Sequence, residues 1–118
     1  MVEVKALRFR NNPVITSALM AEYPACEHAL MVSIIKSALI LNDLEKLGIP
    51  GIKDVYAYPT AAASYGMTVV SLEQKFAGHV AQVLALVGQV VAGGYYTKWI
   101  IAVEEGVDVF DLNQVIWL

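Results

Sequence analysis

The stretch from Cys26 to Leu47 constrains the fold more than any other part of this chain. It reads as one long helix. Its polar residues, Ser33, Lys36, Ser37, Asp43 and Lys46, recur at helical spacing as a stripe, and nearly everything else is Leu, Ile, Val, Met or Ala. A helix with so narrow a polar stripe must have most of its circumference covered by other structure. Lys36 and two serines interrupt the apolar run from Ala29 to Leu41, so it falls short of the ~18 residues a membrane span needs. Gly48 suits the left-handed position just past a helix, and Pro50 prevents continuation.

On either side the pattern changes period. Val2 to Arg10 alternates loosely with period two, which predicts a strand. Asn11-Asn12-Pro13 is a turn, Val14 to Leu19 a second short strand, and Tyr23-Pro24 a break. After the long helix, Ile52 to Tyr58 reads as a strand ended by Pro59. The small residues from Thr60 to Gly66 read as a flexible loop, and Met67 to Leu72 as another strand. Gly78 to Val91 predicts a second helix, ended by Gly93-Gly94. Tyr95 to Val103 predicts a strand, and Asp111 opens a last helix. The expected fold is α/β, or α+β: a small mixed sheet covered by helices, with a long linker helix after an N-terminal strand pair.

At 118 residues the chain holds one domain at most. Apolar residues reach 58% and charged ones 16%, where a typical domain has about 45–50% and about 25%. The excess predicts apolar surface that needs a partner, either another subunit or the rest of a larger fold. A net charge of −3 with scattered basic residues gives no electrostatic case for nucleic acid. Met1-Val2-Glu3-Val4-Lys5 lacks the basic start and apolar block of a signal peptide. Cys26 is the only cysteine, so an internal disulfide is excluded, and the expected compartment is the cytoplasm.

Few residues suggest chemistry by themselves. Asp108 and Asp111, between a strand and a helix, could bind a metal or a phosphate, but capping of the helix start explains them more simply. Glu104-Glu105 reads as a solvated loop. His28 and His79 stand far apart with no metal-ligand spacing, so no metal site is expected within the chain. Cys26 and His28 are near neighbours on a helix and point in different directions, which disfavours a nucleophile pair. Gly93-Gly94 precedes a strand, where it reverses the chain rather than cradling phosphate. Lys98 stands among large apolar residues of a strand. It either lies on the solvent side or pairs with the phosphate of a bound cofactor.

Several segments, in order, resemble the UbiD-type carboxy-lyases. They are Leu7-Arg8-Phe9-Arg10-Asn11-Asn12-Pro13-Val14, Gly48-Ile49-Pro50-Gly51-Ile52-Lys53-Asp54-Val55-Tyr56, and Val69-Val70-Ser71-Leu72 followed by Gly78-His79-Val80-Ala81-Gln82-Val83. The tail from Tyr95-Tyr96-Thr97-Lys98-Trp99 through Glu104-Glu105-Gly106-Val107-Asp108 to Asp111-Leu112-Asn113-Gln114-Val115-Ile116-Trp117 is the most specific of them. The resemblance implies a prenylated flavin mononucleotide (prenylated FMN) as cofactor, its phosphate held by a divalent metal and potassium. It implies an aromatic or unsaturated carboxylic acid as substrate, and proton transfer by a Glu–Arg–Glu set. That cofactor supplies the electron sink that a carbanion on an sp² carbon lacks.

The departures matter equally. The acidic motif that bears the catalytic glutamates has no counterpart here, nor do the catalytic arginine and the metal ligands. Gly106 stands where relatives carry an acidic residue. By resemblance, residues 1–25 would be terminal strands of a cofactor-binding split barrel, 26–48 a linker helix, and 49–118 part of a C-terminal α/β domain. The expected role is a fragment or subunit of a UbiD-type (de)carboxylase, mainly structural and oligomerising, with the isolated chain inactive. The alternative is a free-standing, non-catalytic oligomerisation module derived from that family. No residue is assigned a catalytic role, and Lys98 and Met31 are the positions expected near the cofactor.

Overall fold

The computed structural model describes residues 2–17 and 22–117. Its elements are α1 (Glu27–Lys46), β1 (Ile52–Ala57), β2 (Met67–Leu72), α2 (His79–Val87), α3 (Val91–Gly94), β3 (Trp99–Glu104) and α4 (Leu112–Trp117). The sheet has the order β1-β2-β3, with β1 antiparallel and β3 parallel to the central β2. It is therefore the mixed, helix-covered sheet that the sequence predicts.

β2 is buried along its whole length because both faces of the sheet are covered. Val70 and Leu72 turn toward a core with Ile40 and Leu44 of α1, Val55 of β1 and Val83 and Val87 of α2. Met67 and Val69 turn to the opposite face, against Tyr58, Val103, Val109 and Val115. The period of two thus sends alternate residues of one strand into two separate clusters.

The end of α1 follows from Gly48. Its φ of +71° is the left-handed conformation that lets the chain turn off the helix axis. Gly48 N–H then donates to Glu45 O at 2.9 Å and Ile49 N–H to Leu44 O at 3.2 Å, which satisfies two terminal carbonyls. At the other end of the chain Asp111 caps α4: Asn113 N–H donates to its Oδ1 at 2.9 Å.

Several expectations are corrected. Val2 to Arg10 forms no strand, and residues 2–17 are exposed throughout. Their alternation has no neighbouring strand to bond among the described residues, and unpaired strands are not stable alone. Of the second expected strand, residues 18 and 19 lie outside the described residues. The helix expected from Gly78 to Val91 is two helices, because Gly88 ends α2 and Val90 is extended, with ψ of 147°. Gly93-Gly94 lies inside the one-turn α3, and β3 starts at Trp99 rather than Tyr95. Gly93 is required there: a Cβ would strike the Val87 carbonyl oxygen.

The largest correction concerns α1. The middle of its polar stripe, Ser33 and Lys36, turns away from water, and only Lys46 at its end is exposed. Ser33 and Lys36 are buried with Ala29, Ile40 and Leu44, while Leu30, Met31, Ile34, Ile35 and Leu39 are exposed. Ser33 Oγ donates to Ala57 O at 2.6 Å, and Ser37 Oγ accepts from Ala57 N–H at 2.9 Å. The serines satisfy the end of β1, so the polar side of α1 packs inward and the apolar side is left open.

Tyr58 fixes the acidic loop to the sheet. Only 5% exposed, it donates through its hydroxyl to Val109 O at 2.6 Å. Burial first, and then the charges of Tyr56, Asp111 and Asp108, push its pKa up to about 12 from the ordinary 10.0. A phenol whose folded pKa is raised stabilises the fold fully below pH 10, and that contribution is lost as pH climbs to 12. Absorbance titration at 295 nm should therefore show a last tyrosine ionising near pH 12, and Tyr58→Phe should abolish that phase. The stability difference between the two proteins should be largest below pH 10 and shrink above it; a difference independent of pH would refute the assignment.

Candidate functional site

Two loops at the α1 end of the sheet wall an open hollow of about 520 Å³. Its lining is His28, Ala62, Tyr65, Tyr95, Tyr96 and Lys98. The first loop, between β1 and β2, carries Ala62, Ala63 and Ser64 at φ of 50°, 53° and 74°. The second, before β3, carries Tyr96 at 56°. These four are the non-glycine residues with positive φ among the described residues, and all flank one hollow. Each costs on the order of 1–3 kcal/mol, so surrounding bonds must hold it. Gly66 N–H donates to Ala61 O at 2.8 Å, closing the left-handed turn, and Ser64 Oγ donates to Ala29 O of α1 at 2.6 Å. The small side chains of Ala61-Ala62-Ala63 let the backbone coil this tightly.

The aromatic walls pack edge to face. Tyr65 meets Tyr95 at 5.5 Å between ring centroids, Tyr95 meets Tyr96 at 4.6 Å, and His28 lies 6.4 Å from Tyr65. The loops also bond to each other, since Lys98 and Trp99 N–H both donate to Gly66 O at 3.0 Å. Lys98 is exposed at the rim, at the foot of β3. The arrangement offers flat π surfaces with an imidazole and one free ammonium beside them. That suits a planar aromatic ligand carrying negative charge.

Of the two residues expected near a cofactor, Lys98 lines this hollow. Met31 does not; it lies 58% exposed on the open face of α1, one turn along from His28. Cys26 is buried at the start of α1 and makes no side-chain capping bond there. Asp108 and Asp111 do the work of caps: Phe110 N–H donates to Asp108 Oδ1 at 2.9 Å, as Asn113 N–H does to Asp111. Glu105 forms a surface ion pair with Lys53 at 3.3 Å. No group of three His, Cys, Asp or Glu side chains capable of holding a metal occurs among the described residues. His79 is wholly buried, its Nδ1 accepting from Lys75 N–H at 3.2 Å.

The residue that the sequence did not single out is Lys36. Only 4% exposed, it lies behind the hollow. Its Nζ donates to Tyr65 O at 3.3 Å, to Tyr95 O at 3.2 Å and to Thr97 Oγ1 at 2.7 Å, and lies 5.5 Å from the Tyr65 ring centroid. Burial holds its pKa below the ordinary lysine value. The available signal was a lone cation midway along an apolar helix, flanked by serines that bond neighbouring backbone.

Residues 29–118 match the family model described as 3-octaprenyl-4-hydroxybenzoate carboxy-lyase C-terminal domain. Among solved structures, the closed form of vanillic acid decarboxylase from Sedimentibacter hydroxybenzoicus is 26% identical, with a TM-score of 0.69 over 80% of this chain and 19% of that one. The 3,4-dihydroxybenzoic acid decarboxylase of Klebsiella pneumoniae is 27% identical, with a TM-score of 0.64 over 77% of this chain and 18% of that one. An evolved dimeric form of the UbiD-class enzyme HmfF from Pelotomaculum thermopropionicum, in complex with prFMN, shares the fold at 23% identity. Its TM-score is 0.67 over 77% of this chain and 20% of that one. The chain thus spans about a fifth of the length of each of these proteins. With a family match that takes in nearly all of α1, the whole sheet and the capped α4, the chain belongs to the UbiD carboxy-lyase family through its C-terminal domain.

Proposed function

We propose that this chain is a structural and oligomerising segment of a UbiD-type (de)carboxylase acting on aromatic carboxylic acids, and that its aromatic hollow forms one wall of the cofactor site. The likeness to two decarboxylases of hydroxylated benzoic acids carries the reading of substrate class. The hollow supports the reading of the site. Tyr65, Tyr95 and Tyr96 offer faces to a flavin edge or a substrate ring, and Lys98 offers an ammonium to a phosphate or carboxylate. Met31, near His28 on the open face of α1, is proposed to approach the same site from the helix side.

These residues fit a flavin in part. They supply aromatic contact and one cation, but not the acidic ligands that a phosphate-bound metal would require. When bound, a prenylated flavin supplies the electron sink for loss of carbon dioxide from an sp² carbon. The residues of this chain would orient the ring and exclude water, while the proton-transfer groups belong to the remainder of the enzyme. The open face of α1 supports the oligomerising role.

Two measurements test the reading. The purified chain, given prenylated FMN and 3,4-dihydroxybenzoate, should release no carbon dioxide above the rate without protein. Turnover by the chain alone would overturn the proposal. In a complete enzyme that contains this segment, Lys98→Ala should weaken flavin retention about tenfold, the loss of one charge-assisted bond. Unchanged retention would remove Lys98 from the site.

A further inference from the structure

Among the described residues Lys36 belongs to no surface ion pair, and it lies in no expected site, yet it is among the most heavily bonded side chains of the fold. Its ammonium has three protons and finds three acceptors, Tyr65 O, Tyr95 O and Thr97 Oγ1. Tyr65 directly follows the left-handed turn, and Tyr95 to Thr97 brackets the positive-φ Tyr96. One side chain from α1 therefore ties down both loops that hold strained backbone. All three acceptors are neutral, so the pairing is one of geometry rather than of charge with charge. A buried cation is costly unless fully bonded, and here the cost is offset only while both loops keep their places.

We propose that Lys36 is the positioning residue of the aromatic hollow: it couples α1 to the two loops and sets the spacing of Tyr65, Tyr95 and Tyr96. The coupling runs both ways. A movement of α1 along its axis would withdraw the ammonium from all three acceptors together, and the rings would lose their mutual packing. The role holds whatever ligand occupies the hollow, and so does not depend on the flavin reading.

The test is residue-resolved amide hydrogen exchange with tyrosine ring resonances, measured on the full chain. In Lys36→Met, exchange at Tyr65, Gly66, Lys98 and Trp99 should rise about tenfold, with Val55 and Val70 changing less than about twofold. The rings of Tyr65 and Tyr95 should shift, and that of Tyr58, on the opposite face of the sheet, should not. Thr97→Val removes one acceptor at a half-buried position and decides the matter if Lys36→Met does not fold. It should raise exchange at Lys98 and Trp99 about threefold, with Tyr58 again unmoved. Unchanged exchange at the loops, or a rise shared equally by Val55 and Val70 together with a shifted Tyr58 ring, would overturn the proposal.

Discussion

A chain carrying Ile34→Glu together with Ile35→Lys should elute as a folded monomer, where the unaltered chain is expected to self-associate through the proposed open face of α1. The two isoleucines are 72% and 54% exposed, on a helix face shared with Leu30, Met31 and Leu39. Burying an isoleucine side chain is worth about 1.5–3 kcal/mol, and a two-fold interface would bury each of them twice. Even half of that sum, about 3–6 kcal/mol, weakens association by at least a hundredfold. Neither side chain belongs to the core clusters, so the far-ultraviolet circular dichroism of the variant should match that of the parent. Light scattering decides: a parent that is already a monodisperse monomer would refute self-association, and a variant that associates as well as the parent would show that another surface carries the contact.

Leu44→Ala should produce the largest loss of stability. Leu44 is fully buried where α1 meets Val55, Val70 and Leu72, and its carbonyl also receives Ile49 N–H at the end of the helix. Removing three carbons from such a site leaves a cavity and costs about 2.7–5 kcal/mol. For a domain of this size that lowers the melting temperature by some 10 °C or more, readable by calorimetry at one protein concentration. A fall of only a degree or two would mean that α1 is loosely docked on the sheet and that Ile40 does not share this core with Leu44.

The parts of the fold that were legible in the sequence are those set by local chemistry. The bounds of β2 follow from a largely apolar stretch rich in β-branched residues between Gly66 and Glu73. Gly48 and Pro50 mark the end of α1, and Asp111 marks the start of α4, because left-handed turns and helix caps depend on a few neighbouring atoms. What the sequence did not disclose depends on distant parts of the chain. Helical spacing shows that Ser33, Lys36 and Ser37 share one side of α1, but not which side points inward. With more apolar residues on α1 than the sheet can cover, the side turned inward is the one whose hydroxyls and ammonium meet the backbone of β1 and the loops. The same is true of the site. Lys98 could be chosen as an isolated cation among apolar neighbours. The left-handed turn at Ala62 to Ser64 could not, since alanine ordinarily avoids that backbone and is held there by bonds from residues far off in the chain.

The two outer strands of the sheet differ in one further respect. β1 carries Lys53 and Asp54, both exposed, and its pairing is irregular between Ile52 and Asp54; charge and irregular register both discourage a foreign strand from adding on. β3 runs Trp-Ile-Ile-Ala-Val without a charge until Glu104, and no further strand lies beside it among the described residues. Between Lys98 and Glu104, which guard its two ends, that margin has the composition of an amyloid-prone segment. In concentrated stocks of the isolated chain, precipitation should begin along β3, and Trp99→Lys, at a side chain 69% exposed, would be the economical remedy for anyone preparing it.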